Sequence, residues 1–127
     1  MEKYDIIIIG SGSGLNIASE FLNKKKIAVI EKGPLGGVCL NRGCIPSKIL
    51  LQSAEYLEII KKSEAFFIES KHPELNFHKL MEYQAKITEK EAREIAAFYE
   101  KETGACLYRG TAEFLSNHKV KVGRKIL

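Results

Sequence analysis

A β-branched run that ends in a cluster of glycines constrains this chain more than any other feature. The residues from Tyr4 to Ile9 lead directly into Gly10-Ser11-Gly12-Ser13-Gly14. A short apolar run stopped by glycines predicts a fully buried strand of a parallel sheet. Residues 15–23 then predict a helix, and residues 26–30 predict a second buried strand that ends before Gly33 and Pro34. This order predicts a parallel βαβ unit.

The glycine cluster stands where a dinucleotide-binding turn requires it, after a strand and before a helix. Glycines let the backbone approach a pyrophosphate, whose charge is stabilised by amides at the helix N-terminus. Glu31 ends the second strand about 20 residues further on, where a carboxylate can accept hydrogen bonds from a ribose hydroxyl. Leu15 departs from the pattern, because its position favours Gly or Ala. The alternative interpretation is a flexible Gly-Ser loop.

Cys39 and Cys44 are the second feature with chemical content. On a regular helix five residues correspond to a rise of about 7.5 Å, whereas the Cα atoms of a disulfide lie about 4.4–6.8 Å apart. A disulfide here therefore needs a distorted turn, which Gly43 permits. A helix from Pro46 to about residue 62 is predicted next, and Cys44 would lie at its N-terminus, one turn before Lys48. Both features favour a thiolate over a thiol.

Two other interpretations of the cysteine pair remain. Zinc would need further Cys or His ligands, and none of the histidines has ligand-like spacing to the pair: His72, His78 and His118. The second alternative is two buried small residues without chemistry. Cys106 lies in an apparent strand and is predicted to be an inert, buried thiol.

The rest of the chain predicts one long helix and several short strands. Residues 77–103 carry apolar side chains at spacings of three and four, and Gly104 follows as a C-terminal stop signal. Short strands are predicted over residues 105–108, 112–115 and 119–122. Only the first two predicted strands have the apolar pattern that is typical of a parallel sheet.

Composition and charge exclude several classes of protein. The 127 residues carry a net charge of +4, with both signs interleaved along the chain, so no nucleic-acid partner is expected. The longest aliphatic run, Ile6 to Ile9, is far shorter than the ~20 residues that cross a bilayer. The charged N-terminus has no signal-peptide pattern. We therefore expect a cytoplasmic protein without a membrane partner and with one domain at most.

The segment around the cysteines resembles the redox-active signature of the flavoprotein disulfide reductases. That segment reads Gly36-Gly37-Val38-Cys39-Leu40-Asn41-Arg42-Gly43-Cys44-Ile45-Pro46-Ser47-Lys48. The resemblance implies an α/β fold, with a Rossmann-like FAD-binding βαβ, a long helix and additional short strands. It also implies that residues 1–127 are the N-terminal part of an incomplete FAD-binding domain, with the NAD(P) and dimerisation domains absent.

Residue roles follow from the same resemblance. Cys39 would be the interchange thiol that exchanges with a substrate disulfide or dithiol, and Cys44 the thiol next to the flavin. Lys48 would lie near the flavin N5 edge. Three glycines would approach the FAD pyrophosphate, and Glu31 would bind the adenosine ribose; the glycines are Gly10, Gly12 and Gly14. The family's catalytic histidine comes from the C-terminal domain of a partner subunit, so no histidine of this chain is assigned that role, and no metal ligand is assigned either.

The implied function is oxidation of a small-molecule or protein-bound dithiol, with electrons passing through the Cys39-Cys44 disulfide and FAD to NAD or NADP. The sequence from Ile45 to Lys48 is most similar to dihydrolipoamide dehydrogenases. The alternatives are a mercuric reductase-like enzyme or another disulfide reductase. For these 127 residues alone, a non-catalytic FAD-binding or nucleotide-binding module is a further alternative. The resemblance implies a homodimer for a full-length enzyme and no turnover by this part alone.

Overall fold

Three parallel strands form the centre of the fold. The computed structural model describes residues 1–18, 24–69 and 73–127. Strands β1 (Ile6–Ile9), β2 (Ile27–Glu31) and β3 (Cys106–Arg109) pair in the order β1-β2-β3, and both pairings are parallel. The predicted α/β class is therefore confirmed. The expectation of only two parallel strands was wrong, because β3 joins the sheet through a long-range pairing that its own four residues do not reveal.

Strand β2 separates two apolar cores, because alternate residues of a strand point to opposite faces of the sheet. Ile27 and Val29 face one core together with Leu15, Leu35 and Ala105. Ala28 and Ile30 face the other core together with three residues of the C-terminal segment, Val120, Val122 and Leu127. This central strand is therefore buried on both faces, as its sequence predicted.

The first βαβ unit departs from the prediction at two points. Strand β1 is only half-buried, and Ile9 is 49% exposed, because within the described residues β1 pairs with one neighbour only. Residues Ser13–Ala18 form a 3-10 helix, which begins two residues before the helix predicted over residues 15–23. The remainder of that predicted helix, residues 19–23, lies outside the described residues.

Between β2 and β3 the described residues form three α-helices: α1 (Gly37–Arg42), α2 (Cys44–Ser63) and α3 (Phe77–Glu102). The sequence did not predict α1, and it placed the start of α2 at Pro46, two residues too late. Pro46 is tolerated in the first turn because the N–H that it lacks would have no partner inside the helix. A 3-10 turn, Glu64–Phe66, follows α2. The bounds predicted for α3 were correct to within one residue.

The two long helices differ in how much apolar surface they bury. Ile95, Ala96 and Tyr99 of α3 pack against the core on its side of the sheet. Helix α2 contains no fully buried residue, and three of its apolar side chains are about 60% exposed: Leu51, Tyr56 and Ile59. No helix in the described part of the chain is long and apolar enough to cross a membrane.

An antiparallel meander covers the other face of the parallel sheet. It consists of β4 (Ala112–Ser116), β5 (Lys119–Val122) and β6 (Lys125–Ile126), paired in the order β4-β5-β6. The fold therefore has three layers, with helices on one face of the parallel sheet and the meander on the other. The N-terminus joins this layer, since the backbone N–H of Glu2 donates to the carbonyl of Ile126 over 3.1 Å.

The carboxylate of Glu2 links the N-terminus to two strands. It accepts hydrogen bonds from the hydroxyls of Tyr108 (2.7 Å) and Tyr4 (2.8 Å) and from Lys125 Nζ (3.2 Å). The bond from Tyr108, followed by those from Tyr4 and Lys125, lowers the pKa of Glu2 to about 2. A carboxyl with a depressed pKa stabilises the fold above its unfolded pKa, and this contribution is lost as the pH falls.

We expect Glu2→Gln to weaken the acid sensitivity of the protein. Wild-type stability should decline between pH 4.5 and about 2, because protonation breaks the bonds that Glu2 accepts. The variant should be less stable than wild type at pH 7, and its free energy of unfolding should decrease less than that of wild type when the pH is lowered. Urea unfolding at a series of pH values measures both effects. Glu113→Gln is the control, since the Glu113 carboxylate has one ion-pair partner, Lys121 at 3.4 Å. Equal pH slopes for wild type and Glu2→Gln would contradict this assignment.

Candidate active site: a glycine turn beside a cysteine pair

The glycine turn lies at the carboxyl end of β1. Gly10 has a φ of +92°, which favours glycine, and its N–H donates to the carbonyl of Ile30 over 2.8 Å. Ser11 is buried, and the three residues that follow it are exposed: Gly12, Ser13 and Gly14. Leu15 then turns inward and is 3% exposed in the core. The turn thus presents bare backbone at the edge of a parallel sheet where α/β proteins bind ligands.

Glu31 is held against this turn. One carboxylate oxygen, Oε2, accepts from the backbone N–H of Ser11 (2.9 Å) and from Ser11 Oγ (2.7 Å), and Oε1 accepts from the N–H of Gly33 (2.8 Å). Burial raises the pKa of this carboxyl, but the hydrogen bonds, led by that from the Ser11 hydroxyl, outweigh burial and hold the pKa below its usual value. Glu31 is therefore an oriented carboxylate.

The start of α1 touches the same turn. Gly37 has a φ of +65°, and a Cβ built on it would lie 2.6 Å from Gly12 Cα and 3.1 Å from Gly12 N. Only a residue without a side chain allows the two backbones to approach this closely. The segment that carries the cysteines is consequently fixed against the predicted phosphate-binding turn.

Gly43 interrupts the helix between the two cysteines. Cys39 lies in α1, and Cys44 is the first residue of α2. A Cβ on Gly43 would lie 3.0 Å from the carbonyl oxygen of Val38 and 3.3 Å from Cys39 Cα. The break in the helix that a disulfide would need between the cysteines is present, because α1 ends at Arg42 and α2 begins at Cys44.

The two thiols interact directly. Both are free and exposed, and the pKa of Cys39 is raised, chiefly by a hydrogen bond with the Cys44 side chain. The positive charge of Lys48, one turn into α2, acts on Cys39 in the opposite direction. The fold thus brings Cys39, Cys44 and Lys48 together. Cys106 lies in β3 and is partly buried.

We expect Cys44→Ala to make Cys39 more reactive toward alkylation at pH 7.5. The change removes the hydrogen bond that raises the Cys39 pKa, so the pKa should fall toward the ordinary value of about 8.5 and the thiolate fraction should rise. Iodoacetamide labelling as a function of pH, read by mass spectrometry, measures this change. Lys48→Ala is the opposing variant and should slow the labelling of Cys39. An unchanged pH profile in Cys44→Ala would show that the thiols do not interact.

The residues at this edge fit a dinucleotide such as FAD. The exposed turn leaves backbone groups open to a ligand, and Glu31 has carboxylate oxygens that can accept hydrogen bonds. Where Gly12 and Gly37 meet, a side chain on Gly37 would occupy the space beside the turn. A Cβ added to Gly14 would meet no atom within 4 Å, so steric crowding inside the protein does not require glycine there. Among the described residues no cluster of His, Cys, Asp and Glu could hold a metal ion; His72 lies outside them.

Sequence reasoning missed three residues of this site. Ser11 orients Glu31, Gly37 supports the turn, and Asn41 donates from its side-chain amide to backbone carbonyls before α1. The pair Gly36-Gly37 did signal positive φ angles, which both residues have. Nothing in the local sequence indicated which distant backbone Gly37 approaches.

Comparisons with known proteins agree with this geometry. The family described as pyridine nucleotide-disulphide oxidoreductase matches residues 4–127. Dihydrolipoyl dehydrogenase of Bacillus subtilis (strain 168) is 39% identical over 90 residues, which are 69% of this chain and 19% of the relative. Dihydrolipoyl dehydrogenase of Staphylococcus aureus is 33% identical over 120 residues, which are 93% of this chain and 25% of the relative.

Mycothione reductase of Mycobacterium tuberculosis is also similar, with 44% identity over 70 residues, 55% of this chain and 15% of the relative. The chain thus spans a quarter or less of the length of these relatives. These relatives are oxidoreductases, and members of the matching family typically bind FAD and NAD(P). Since the family match covers nearly the whole sequence, this chain belongs to the pyridine nucleotide-disulphide oxidoreductase family.

Proposed function

We propose that this chain supplies the FAD-binding turn and the redox-active cysteine pair of a dithiol:NAD oxidoreductase. The observation that carries the proposal is the contact between Gly12 and Gly37. It joins a turn suited to a dinucleotide to the helix that bears Cys39. One bound flavin could therefore reach both the glycine turn and the cysteines.

Each residue has a distinct part in this proposal. Gly10, Gly12 and Gly14 leave backbone open to the pyrophosphate, and Glu31 accepts hydrogen bonds from the ribose. When bound, FAD supplies a two-electron acceptor between the cysteine pair and NAD. Lys48 places a positive charge beside the pair and would lie near the flavin.

The cysteines exchange electrons with the substrate by thiol-disulfide exchange. A substrate thiolate attacks Cys39 of the disulfide, the Cys39-Cys44 bond breaks, and Cys44 leaves as a thiolate. The second substrate thiol then attacks the mixed disulfide, which releases oxidised substrate and the Cys39 thiol. Two electrons and the protons of two thiols leave the substrate, and the enzyme holds a dithiol. Among the described residues no basic side chain bonds to Cys39, so we propose that the base comes from a partner subunit of a homodimer.

The proposed substrate class is a lipoyl-like dithiol, either a small molecule or a group bound to a protein. Two of the relatives named above are dihydrolipoyl dehydrogenases, and the segment Ile45-Pro46-Ser47-Lys48 is most similar to that group. A mycothione reductase is also among the relatives, so another disulfide reductase, including one like mercuric reductase, is the competing assignment. NADP in place of NAD is a further variant of the same proposal.

Redox titration of the three thiols tests the proposal. The chain is equilibrated across a series of glutathione thiol/disulfide ratios, free thiols are trapped by alkylation, and each cysteine is quantified by mass spectrometry. We expect Cys39 and Cys44 to oxidise together as one disulfide while Cys106 stays alkylatable. A parallel titration with FAD should show quenching of flavin fluorescence. Independent oxidation of Cys39 and Cys44 would contradict a redox-active pair.

A second candidate is a non-catalytic FAD-binding or nucleotide-binding module. It is favoured by the exposed glycine turn and the oriented carboxylate of Glu31, which need no cysteine chemistry to bind a nucleotide. The non-catalytic candidate is tested by measuring dithiol-dependent reduction of NAD in the presence of FAD. We expect none from these 127 residues alone, while FAD binding and the paired oxidation of Cys39 and Cys44 persist. Enzyme-like turnover would exclude the module.

A further inference from the structure

The side-chain amide of Asn41 joins α1 to the loop that precedes it. Its Nδ2 donates to the carbonyl oxygens of Leu35 and Gly37, both at 2.9 Å, and lies 3.3 Å from that of Pro34. One amide group thereby engages three carbonyls. Leu35 is 1% exposed in the core, so this bond ties α1 to a rigid part of the fold.

Helix α1 needs such support, because six residues are far fewer than the ~12–15 that an isolated helix requires. Its N-cap residue is Gly36, which has no side chain to cap the helix. Leu40 packs over Gly36 and is buried. Asn41 and Leu40 are therefore two side chains that anchor α1 to the preceding loop, and both follow the exposed Cys39 closely in sequence.

Cys44 is supported differently. It begins a 20-residue helix, and the N–H of Ser47 donates to the carbonyl of Gly43 over 3.1 Å. The Cys44 side of the pair is thus fixed by a long helix, and the Cys39 side depends on α1. The position of α1, which has less support than α2, therefore determines how often the sulfur atoms of Cys39 and Cys44 come into contact.

We propose that Asn41 is the positioning residue that sets the redox potential of the Cys39-Cys44 pair. The inference rests on the proposed function of that pair. Holding α1 raises the effective concentration of one thiol near the other, and this concentration enters the equilibrium for disulfide formation directly. In the test reaction glutathione disulfide is reduced to two glutathione thiols, while Cys39 and Cys44 lose two electrons and their protons and form one S–S bond.

The test compares the equilibrium constant for that reaction in wild type and variants of the full chain. Asn41→Ala removes both donors and should lower the constant about tenfold, which corresponds to a rise of about 30 mV in potential. Asn41→Asp keeps the shape but presents a carboxylate to three carbonyls, so it should lower the constant at least as much. Asn41→Ser retains one donor, and its equilibrium constant should lie between those of wild type and Asn41→Ala. This milder variant keeps the test valid if Asn41→Ala or Asn41→Asp does not fold.

Asn76→Ala is the matched control. Asn76 also makes a side-chain to backbone bond at a helix, accepting from the N–H of Lys79 over 3.0 Å, but it caps α3 away from the cysteines. This control should lose stability without changing the potential. Unchanged or higher equilibrium constants in the Asn41 variants, with a wild-type pair that oxidises normally, would overturn the role of Asn41 alone. A wild-type pair that never oxidises as a unit would overturn the proposed function and this inference together.

Discussion

Gly37→Ala is expected to abolish FAD binding and to lower the free energy of unfolding by about 2–4 kcal/mol. The new Cβ would lie 2.6 Å from Gly12 Cα on a backbone with φ of +65°. Neither backbone can yield without moving the glycine turn or the start of α1, so the loss combines a strained conformation with a steric clash. Urea unfolding and flavin fluorescence titration measure the two effects.

Gly104→Ala is a close control for this change. Gly104 has the same φ of +65°, but a Cβ at this position would have no atom within 4 Å. This variant should therefore show only the conformational cost, of about 1–2 kcal/mol, and it should keep FAD affinity. Similar losses of stability and affinity in both variants would mean that the contact between Gly12 and Gly37 contributes nothing.

Glu31→Ala should cost about 2–4 kcal/mol of stability, because it leaves the N–H and hydroxyl of Ser11 without their acceptor. Ser11 is only 2% exposed, so water cannot readily replace the carboxylate. FAD affinity should fall as well, since the ribose loses its predicted acceptor. Wild-type stabilisation by Glu31 is present above the ordinary carboxyl pKa and declines as the pH falls, because the pKa of Glu31 is lowered in the fold. The stability difference between wild type and variant should therefore narrow in acid.

A double-mutant cycle with Ser11→Ala separates the contributions that the two hydrogen bonds from Ser11 to Glu31 make to stability. Ser11→Ala removes the 2.7 Å bond from the hydroxyl but keeps the 2.9 Å bond from the backbone N–H. The cost of Glu31→Ala should be smaller in the Ser11→Ala background, since one orphaned donor is gone. Additive losses in the cycle would show that the two side chains do not interact. FAD affinity of Ser11→Ala reports whether the orientation of Glu31 matters for binding.

Local patterns in the sequence were sufficient to predict the local backbone features of the candidate site. The glycine cluster after a β-branched run predicted the turn, and Glu31 was placed correctly at the end of β2. Gly43 was read as permitting the distorted turn that a disulfide between Cys39 and Cys44 would need. These features follow from backbone conformation, which depends on a few neighbouring residues. The long helix α3 was predicted for the same reason, since its apolar spacing and Gly104 lie within or directly beside its own segment.

Errors in the prediction have a common cause. Leu15 looked like a misfit at a packing position, yet it fills the core between the sheet and α3 and lies within a 3-10 helix. Strand β1 looked fully buried, yet among the described residues it has a single neighbouring strand. Burial and helix type at these positions depend on which distant elements pack there, and an apolar run does not encode that.

The sequence by itself determined that the chain has a glycine turn after the first strand, an acid at the end of the second strand and two cysteines on either side of a glycine. Only the tertiary structure decided that these parts meet. Gly37 lies against Gly12, Ser11 bonds to Glu31, and β3 completes the parallel sheet. The physical reason is that each such contact joins segments that are distant in the chain, and its geometry is set by the packing of both cores around β2.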